Sequence, residues 1–203
     1  ENIRQARELG ADAALVVLPY YNKPNPQGHR AHMRAAADVG LPVVAYHVPG
    51  RTGQHVSADL LGELSRLPGV VSVKEATGDI DRTKQILDLC DLVVYSGDDL
   101  SARELMLNGA KGTISVTANV APEKMAAMCN AAIAGQAEDA ALIDKSLVGL
   151  HNHLFLEANP IPVKWLLYKM KMLESDYLRS PLTKLNKMHE QSLMKAATEA
   201  NIF

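Results

Sequence analysis

The chain has 203 residues, of which 47% are hydrophobic and 22% are charged, and its formal net charge is −2. This composition is that of a globular protein with enough chain to bury a sizeable core. The small net charge gives no electrostatic basis for binding nucleic acid or a membrane surface, and the longest apolar runs, such as Ala13–Pro19, are too short to cross a bilayer.

The first nine residues predict the second half of an amphipathic helix. Ile3, Ala6 and Leu9 fall on one helical face, and no capping residue precedes them. Because the first residue is Glu1 rather than Met and the helix has no start signal, we expect the chain to be a fragment of a longer protein.

Five short β-branched runs predict strands. Each is almost continuously apolar, as expected for strands that are buried on both faces. The runs are Ala14–Pro19, Pro42–Val48, Val70–Lys74, Leu92–Ser96 and Gly112–Val116. Between them, helices are predicted at Gly28–Val39, Ala58–Arg66, Ile80–Leu89 and Ser101–Leu107. This alternation predicts βαβ units and a parallel sheet, and therefore an α/β fold.

Two α/β architectures fit this pattern, an open doubly wound sheet and a (β/α)8 barrel. No GxGxxG or GxxxxGK[ST] segment follows any strand, so the nucleotide-binding signature of an open sheet is missing. In a barrel, functional residues collect at the carboxyl ends of the strands. The strings PYYN, YHVPGRTG, KEATGD, SGDD and TAN follow the five runs in turn. We therefore predict a (β/α)8 TIM barrel that lacks its first units.

Only helices are predicted after Asn119. They are Glu123–Ala134, Ala137–Leu154, Pro162–Met172 and Thr183–Ala200. We therefore divide the chain into residues 1–122, a partial barrel with the last five βα units that starts within a helix, and residues 123–203. The second part comprises the last barrel helix and a C-terminal helical domain.

Lys74 is the most distinctive candidate for catalysis. It ends an apolar strand, and a lysine in that position is often only a solvated strand end. Held in a partly dry barrel mouth, however, its amine would lose protons more easily and could attack a carbonyl. Strand alternation turns the neighbouring Glu75 away from the face of Lys74.

Two residues of the preceding strand end support the catalytic interpretation of Lys74. Tyr46 should lie at the same rim as Lys74, where a phenol could move protons during imine formation. Arg51 lies in a turn shaped by Pro and Gly above that rim, where a guanidinium could hold a substrate carboxylate with two hydrogen bonds. Taken alone, Tyr46 could be core packing and Arg51 a solvated loop residue.

The histidines and cysteines indicate no metal site. His29 and His32 are three residues apart on a predicted helix, but no carboxylate or cysteine completes a ligand set. Cys90 and Cys129 form no CxxC pair and fit a reducing, cytoplasmic compartment.

Six strings in the chain carry a resemblance to a known family. PYYNKP, YHVPGRTG, KEATGD, SGDD, GTISVTAN and NPIPVKW occur in this order between residues 19 and 165. In sequence and spacing they closely resemble the dihydrodipicolinate synthase family, which belongs to the superfamily of pyruvate-dependent class I aldolases. The resemblance runs from about Leu9 to the C-terminus.

The resemblance implies a reaction and roles for individual residues. Lys74 would form an imine with pyruvate, Tyr46 would relay protons, and Arg51 would bind the carboxylate of aspartate semialdehyde. Gly97 and Ile114 would offer backbone groups near the pyruvate moiety. The product would be 4-hydroxy-tetrahydrodipicolinate, which enters diaminopimelate and lysine biosynthesis, and neither a metal nor an organic cofactor would be needed.

The resemblance also implies a homo-oligomer. In the family, the tyrosine that corresponds to Tyr21 reaches across a subunit interface into a neighbour's proton relay, and the usual assembly is a homotetramer of tight dimers. Family members carry about three βα units, including a Gly-Thr-Thr-Gly-Glu segment, that have no counterpart in residues 1–203. We therefore expect the 203 residues alone to be impaired in activity.

Two alternatives remain open from the sequence. A related pyruvate aldolase acting on sugar acids, such as an N-acetylneuraminate lyase, would share the lysine strand. An inactive, truncated assembly partner would share the fold without the activity.

Overall fold

The structure, a computed structural model, describes residues 1–203. The chain divides into two compact units, Glu1–Ile114 and Ser115–Phe203. The first unit is α/β and the second is helical, in the order that the sequence predicts. The boundary predicted from sequence, after residue 122, lies further along the chain.

The first unit alternates strands and helices. Its strands are β1 (Ala14–Val17), β2 (Val43–His47), β3 (Val70–Glu75) and β4 (Val93–Ser96). Its helices are α1 (Asn2–Glu8), α2 (Pro26–Ala37), α3 (Pro49–Thr52), α4 (Ala58–Leu64), α5 (Ile80–Leu89) and α6 (Ala102–Leu107). The predicted helix at the start of the chain is present as α1, and no side chain caps it.

The four strands form one parallel sheet in the order β1-β2-β3-β4. The order contains no reversal, whereas a doubly wound sheet reverses at a switch point. The predicted fifth strand is wrong as a strand, because only Thr113 pairs, in a single parallel bridge with Ser96. The pairing ends at Ile114, and the side chain of Ser115 accepts a hydrogen bond from Ala118 N–H that bends the chain into a 3₁₀ turn.

The two faces of the sheet differ in burial. On one face, Val43, Ala45, Val73 and Val94 are fully buried. On the other face, Leu15 is 49% exposed. The expectation that the strands are buried on both faces is therefore wrong for part of the sheet, because the second face is only partly covered.

Polar side chains start the helices that follow the strand-end loops. Asn25 accepts a hydrogen bond from Gly28 N–H at the start of α2, and Ser57 does the same for Leu60 N–H at the start of α4. Such N-caps satisfy amide groups that have no partner inside the helix. The local sequence therefore fixes where each helix begins, and with it the length of each loop.

The second unit begins with the 3₁₀ turn Thr117–Asn119 and continues with five helices. They are α7 (Pro122–Ile133), α8 (Ala137–Lys145), α9 (Val148–His153), α10 (Ile161–Lys169) and α11 (Lys187–Glu199). None of the helices in the chain is long and apolar enough to span a bilayer.

The predicted helix Ala137–Leu154 is wrong as one helix, since it is split into α8 and α9. Ser146 Oγ donates to the Ile143 carbonyl, and Leu147 N–H bonds to Asp144 three residues back rather than four. A serine that competes for backbone carbonyls in this way interrupts a helix.

Candidate active site

Lys74 and Tyr46 lie side by side at the carboxyl ends of β3 and β2. They are direct partners in the parallel register, so their side chains leave the same face of the sheet. The Lys74 Nζ atom lies 4.4 Å from the centroid of the Tyr46 ring. This distance is within the range in which an ammonium group and an aromatic face attract each other.

The surroundings of Lys74 favour its neutral form. Burial lowers the pKa of Lys74, since a charged amine loses hydration there. The carboxylate of Asp99 acts in the opposite direction, and the positive charge of Arg51 lowers the pKa further. The net result is a pKa below the ordinary lysine value, so more of the amine is neutral at a given pH.

The phenol of Tyr46 is shifted in the opposite direction. Burial raises the pKa of Tyr46, and the charge of Arg51 offsets part of that effect. The hydroxyl therefore stays protonated at neutral pH and can donate a hydrogen bond or a proton. An amine that deprotonates easily and a phenol that stays protonated are thus neighbours.

Gly97 leaves room for the Lys74 side chain. A Cβ at position 97 would lie 2.9 Å from Lys74 Cε and 2.7 Å from Ala76 Cβ, closer than real contacts allow. The N–H of Gly97 donates to Glu75 O, and the N–H of Ile114 donates to Ser96 O. Because both N–H groups are used in the sheet, what Gly97 and Ile114 have left to offer a ligand is their carbonyl oxygens.

Arg51 is held in a short, well-defined loop between β2 and α4. It belongs to the single turn α3, which ends at Gly53 in the left-handed conformation. Thr52 Oγ1 lies 3.3 Å from the Val48 carbonyl and 3.1 Å from the Gln54 carbonyl, so its one hydroxyl hydrogen is shared between them and closes the loop on itself. The loop is therefore built to hold the Arg51 guanidinium near the strand ends, where its charge acts on Lys74 and Tyr46.

Tyr21 does not join this cluster within the single chain. Its side chain is 92% exposed, and its backbone has a φ of 67°. A bulky residue in this region of φ is uncommon and is usually held there for a reason. The neighbouring Tyr20 is also exposed.

Sequence reasoning assigned no site role to several residues that the structure brings to the strand ends. Tyr95 pairs with Lys74 on its other side, and Asp99 is buried where its charge acts on Lys74. His47 and Glu75 form a direct contact on the opposite face of the same strands. The sequence did contain a signal for this contact. His47 follows Tyr46 and Glu75 follows Lys74, so a register that pairs Tyr46 with Lys74 also pairs His47 with Glu75.

The arrangement has the chemical elements of imine catalysis. The amine has a lowered pKa, the adjacent phenol keeps its proton, and a guanidinium lies near both. An amine of this kind can add to a ketone, and the phenol can protonate the oxygen that leaves as water.

Comparisons with known proteins show which family this chain resembles. Residues 2–200 match the model of the family described as "Dihydrodipicolinate synthetase family". The 4-hydroxy-tetrahydrodipicolinate synthase of Stutzerimonas stutzeri is 47% identical over all of this chain, which spans 70% of that relative's length. The corresponding enzyme of a Shewanella species is 46% identical with the same coverage.

Solved structures show the same likeness. The dihydrodipicolinate synthase of Acinetobacter baumannii, crystallised with pyruvate, matches 99% of this chain with a TM-score of 0.96 and 46% identity, and the match covers 70% of that structure. The enzyme of Aquifex aeolicus matches 98% of this chain with a TM-score of 0.95 and 36% identity, covering 69% of its own chain. The fold of this chain is therefore part of a (β/α)8 barrel followed by C-terminal helices, and the chain belongs to the dihydrodipicolinate synthetase family.

Proposed function

We propose that this site condenses pyruvate with aspartate 4-semialdehyde to give 4-hydroxy-tetrahydrodipicolinate, a step of lysine and diaminopimelate biosynthesis. The relatives that cover the whole chain are named for this reaction, and one relative was crystallised with pyruvate. The observation that carries the proposal is the pairing of Lys74 with Tyr46, with the amine 4.4 Å from the ring centroid.

Lys74 acts as the nucleophile. Its neutral amine adds to the ketone carbon of pyruvate, and loss of water from the adduct gives an imine. Loss of a proton from the pyruvate methyl group then gives an enamine, whose terminal carbon attacks the aldehyde carbon. Ring closure by the substrate amine displaces the Lys74 nitrogen and restores the free lysine.

The other site residues serve these steps. Tyr46 donates and takes back protons while water leaves and the new hydroxyl forms, a role that its raised pKa supports. Arg51 binds the carboxylate of aspartate semialdehyde. The carbonyl oxygens of Gly97 and Ile114 face the bound pyruvate. The imine itself withdraws electrons from the reacting carbon, so neither a metal ion nor an organic cofactor takes part.

Tyr21 supplies the last group from a second copy of the chain. Its nearly complete exposure and its constrained backbone fit a side chain that is covered only in an assembly, which we propose is a homotetramer built of tight dimers. A relative with 36% identity and a TM-score of 0.95 is described as a monomeric variant, so assembly varies among relatives. We place the protein in the cytoplasm, in line with its two free cysteines.

The shared role of Tyr21 can be tested by mixing two inactive variants. Tyr21→Phe retains Lys74, and Lys74→Arg retains Tyr21. If Tyr21 acts across an interface, mixed assemblies regain activity that neither variant has alone. If Tyr21 acts within its own chain or not at all, mixing restores nothing.

The nucleophile is tested by reducing the complete chain with borohydride in the presence of pyruvate, followed by mass mapping of its peptides. The proposal predicts a pyruvyl adduct on Lys74. An adduct on another lysine, such as Lys164, would overturn the assignment. No adduct at all would favour an inactive assembly partner.

Product analysis then separates the proposal from a sugar-acid aldolase. Aspartate semialdehyde with pyruvate should give the cyclised product, and N-acetylneuraminate should not be cleaved. The opposite pattern would assign the site to sugar-acid chemistry.

A further inference from the structure

The carboxylate of Glu75 is buried and surrounded by hydrogen-bond donors. Glu75 has no exposed surface, and His47 Nδ1 lies 2.9 Å from its Oε2 and 3.0 Å from its Oε1. Arg82 Nε donates to Oε2 at 3.0 Å, and the N–H of Thr77 donates to Oε1 at 3.0 Å. One carboxylate therefore joins β2, β3, the loop after β3, and α5.

The hydrogen bonds identify the form of His47. The N–H of Val56 points to His47 Nε2 at 3.3 Å, so that nitrogen carries the lone pair and Nδ1 carries the proton. The neutral imidazole then donates to an ionised Glu75, whose charge Arg82 balances. Burial alone would raise the pKa of Glu75, but the hydrogen bond from His47, the positive charge of Arg82 and the hydrogen bond from Thr77 together outweigh burial and lower it.

This buried group lies directly behind the reactive residues. His47 follows Tyr46, Glu75 follows Lys74, and the register pairs Tyr46 with Lys74 and His47 with Glu75. The loop that carries Arg51 leaves the sheet after His47 and runs to Val56, just before α4, where the N–H of Val56 bonds to the His47 ring. The Glu75 contacts therefore tie together the backbone segments from which Lys74, Tyr46 and Arg51 project.

We propose that Glu75 is a positioning residue for the reaction, acting through His47, Thr77 and Arg82 on the strand ends that carry Tyr46 and Lys74. The inference rests on the proposed function of Lys74. Glu75 faces away from Lys74, so it touches no substrate. Its effect is on geometry, and a displacement of about 1 Å at reacting groups can reduce a rate about 100-fold.

The test compares turnover per competent site in variants of the full chain. Glu75→Gln places an amide NH₂ among donors, whereas Glu75→Asp keeps the charge on a shorter side chain. His47→Ala removes the donor to Glu75, and His47→Asn keeps an N–H donor close to the position of Nδ1. Sites are counted by borohydride trapping of labelled pyruvate, so misfolded protein does not enter the comparison.

A buried histidine–carboxylate pair in the second unit provides the matched control. His151 Nε2 lies 3.3 Å from Asp144 Oδ1, and the ring also contacts Thr117 Oγ1 at 2.8 Å. Asp144→Asn weakens a similar pair that lies outside the β2–β3 strand ends. It should lower thermal stability without changing kcat per trapped site.

We expect Glu75→Gln and His47→Ala to reduce kcat per trapped site by about 10- to 100-fold, with His47→Asn returning kcat toward the wild-type value. If Glu75→Gln does not fold, the contrast between His47→Ala and His47→Asn decides the matter alone. Unchanged kcat per trapped site in Glu75→Gln or His47→Ala would overturn the inference and leave Glu75 with a structural role only. Failure of the wild-type protein to trap pyruvate on Lys74 would instead overturn the proposed function.

Discussion

The two faces of β2 and β3 at their carboxyl ends differ sharply in how well their polar groups are satisfied. On one face, Tyr46 and Lys74 are half-buried. Burial raises the pKa of Tyr46 and lowers the pKa of Lys74, so the neutral form of each side chain is favoured. On the other face, His47 and Glu75 are fully buried and hydrogen-bonded, and Glu75 stays ionised. The residues of the two faces are adjacent in sequence.

This difference indicates that one face carries the reactive side chains and the other face holds the backbone in place. A nucleophilic amine must lose more hydration on burial than its neighbours return to the ammonium form, and burial is the largest influence on the pKa of Lys74. A buried carboxylate persists only when donors surround it, and those donors fix the backbone around it. Strand alternation lets the chain meet both requirements within two residues.

Removing the reactive amine should have the largest effect. Lys74→Arg keeps a positive charge but replaces the amine with a guanidinium that cannot deprotonate. We expect pyruvate trapping to disappear and kcat to fall by at least about 1,000-fold, measured by coupled turnover assays.

Lys164→Arg is the control for this change, since Lys164 Nζ donates to the Tyr177 carbonyl in the second unit. It should keep both trapping and turnover. If Lys74→Arg still trapped pyruvate, the reactive amine would not be that of Lys74, and the assignment of reactivity to this face of the sheet would be contradicted.

The next largest effect is expected at Tyr46. Tyr46→Phe keeps the ring beneath the amine but removes the hydroxyl that moves protons, so kcat should fall by about 100-fold while Lys74 can still be trapped. Tyr95→Phe is a matched control, because Tyr95 flanks Lys74 on β4 in the same register. Equal losses in the two variants would mean that Tyr46 has no special role.

A smaller effect is expected at Gly97. Gly97→Ala adds a methyl group that would lie 2.9 Å from Lys74 Cε, so the lysine must shift, and we expect kcat to fall by about 10-fold. Gly62→Ala adds a methyl group whose nearest neighbour, Leu89 Cβ, is 3.6 Å away, an ordinary contact. Turnover in Gly97→Ala at the wild-type level would show that the close packing around Lys74 is unimportant.

The last prediction concerns stability rather than rate, and the change should have opposite signs for the two faces. The pKa of Lys74 is lower in the folded state than in the unfolded state. Below its folded-state pKa, the ammonium group therefore reduces the free energy of unfolding, and this loss disappears as the pH rises through the unfolded-state pKa. Lys74→Met should therefore raise the midpoint of thermal unfolding at pH 7. The folded state also lowers the pKa of Glu75, which contributes stability above the unfolded pKa and loses it as the pH falls through the folded one.

Glu75→Gln should accordingly lower the free energy of unfolding at pH 7, by about 3–5 kcal/mol if it breaks the buried ion pair with Arg82. Its deficit should shrink as the pH falls below the range in which Glu75 is ionised. Calorimetry of Lys74→Met and Glu75→Gln across pH checks the sign of each change in stability. If both substitutions changed stability in the same direction at pH 7, the two faces would not differ energetically as proposed.

The sequence predicted the reactive face well and the supporting face poorly. Apolar runs located β2 and β3, and the rule that parallel strands end at one rim brought Tyr46 beside Lys74. Alternation also turned Glu75 away from Lys74, as the structure has it. The same register also pairs His47 with Glu75, but the sequence analysis did not draw that contact. The contact of Glu75 with Arg82 could not be predicted from strand register, because Arg82 points back from a helix.

The other differences arose where side chains compete with the backbone. Ser115 ended the predicted fifth strand by accepting a hydrogen bond from Ala118 N–H, and Ser146 divided a predicted helix by bonding to Ile143. Hydrophobic periodicity is unchanged by such local hydrogen bonds, so it does not reveal them. The role proposed for Tyr21 depends on a second chain and remains a prediction.

The most direct test of the account is the pKa of the Lys74 amine itself. It can be measured by competitive acylation of the protein across pH, followed by mass spectrometry of the peptide that contains Lys74. The account predicts a midpoint below the ordinary lysine value, with pyruvate protecting this amine from acylation. A midpoint at or above that value, with no protection by pyruvate, would contradict the claim that a sheltered, uncharged Lys74 carries the reaction.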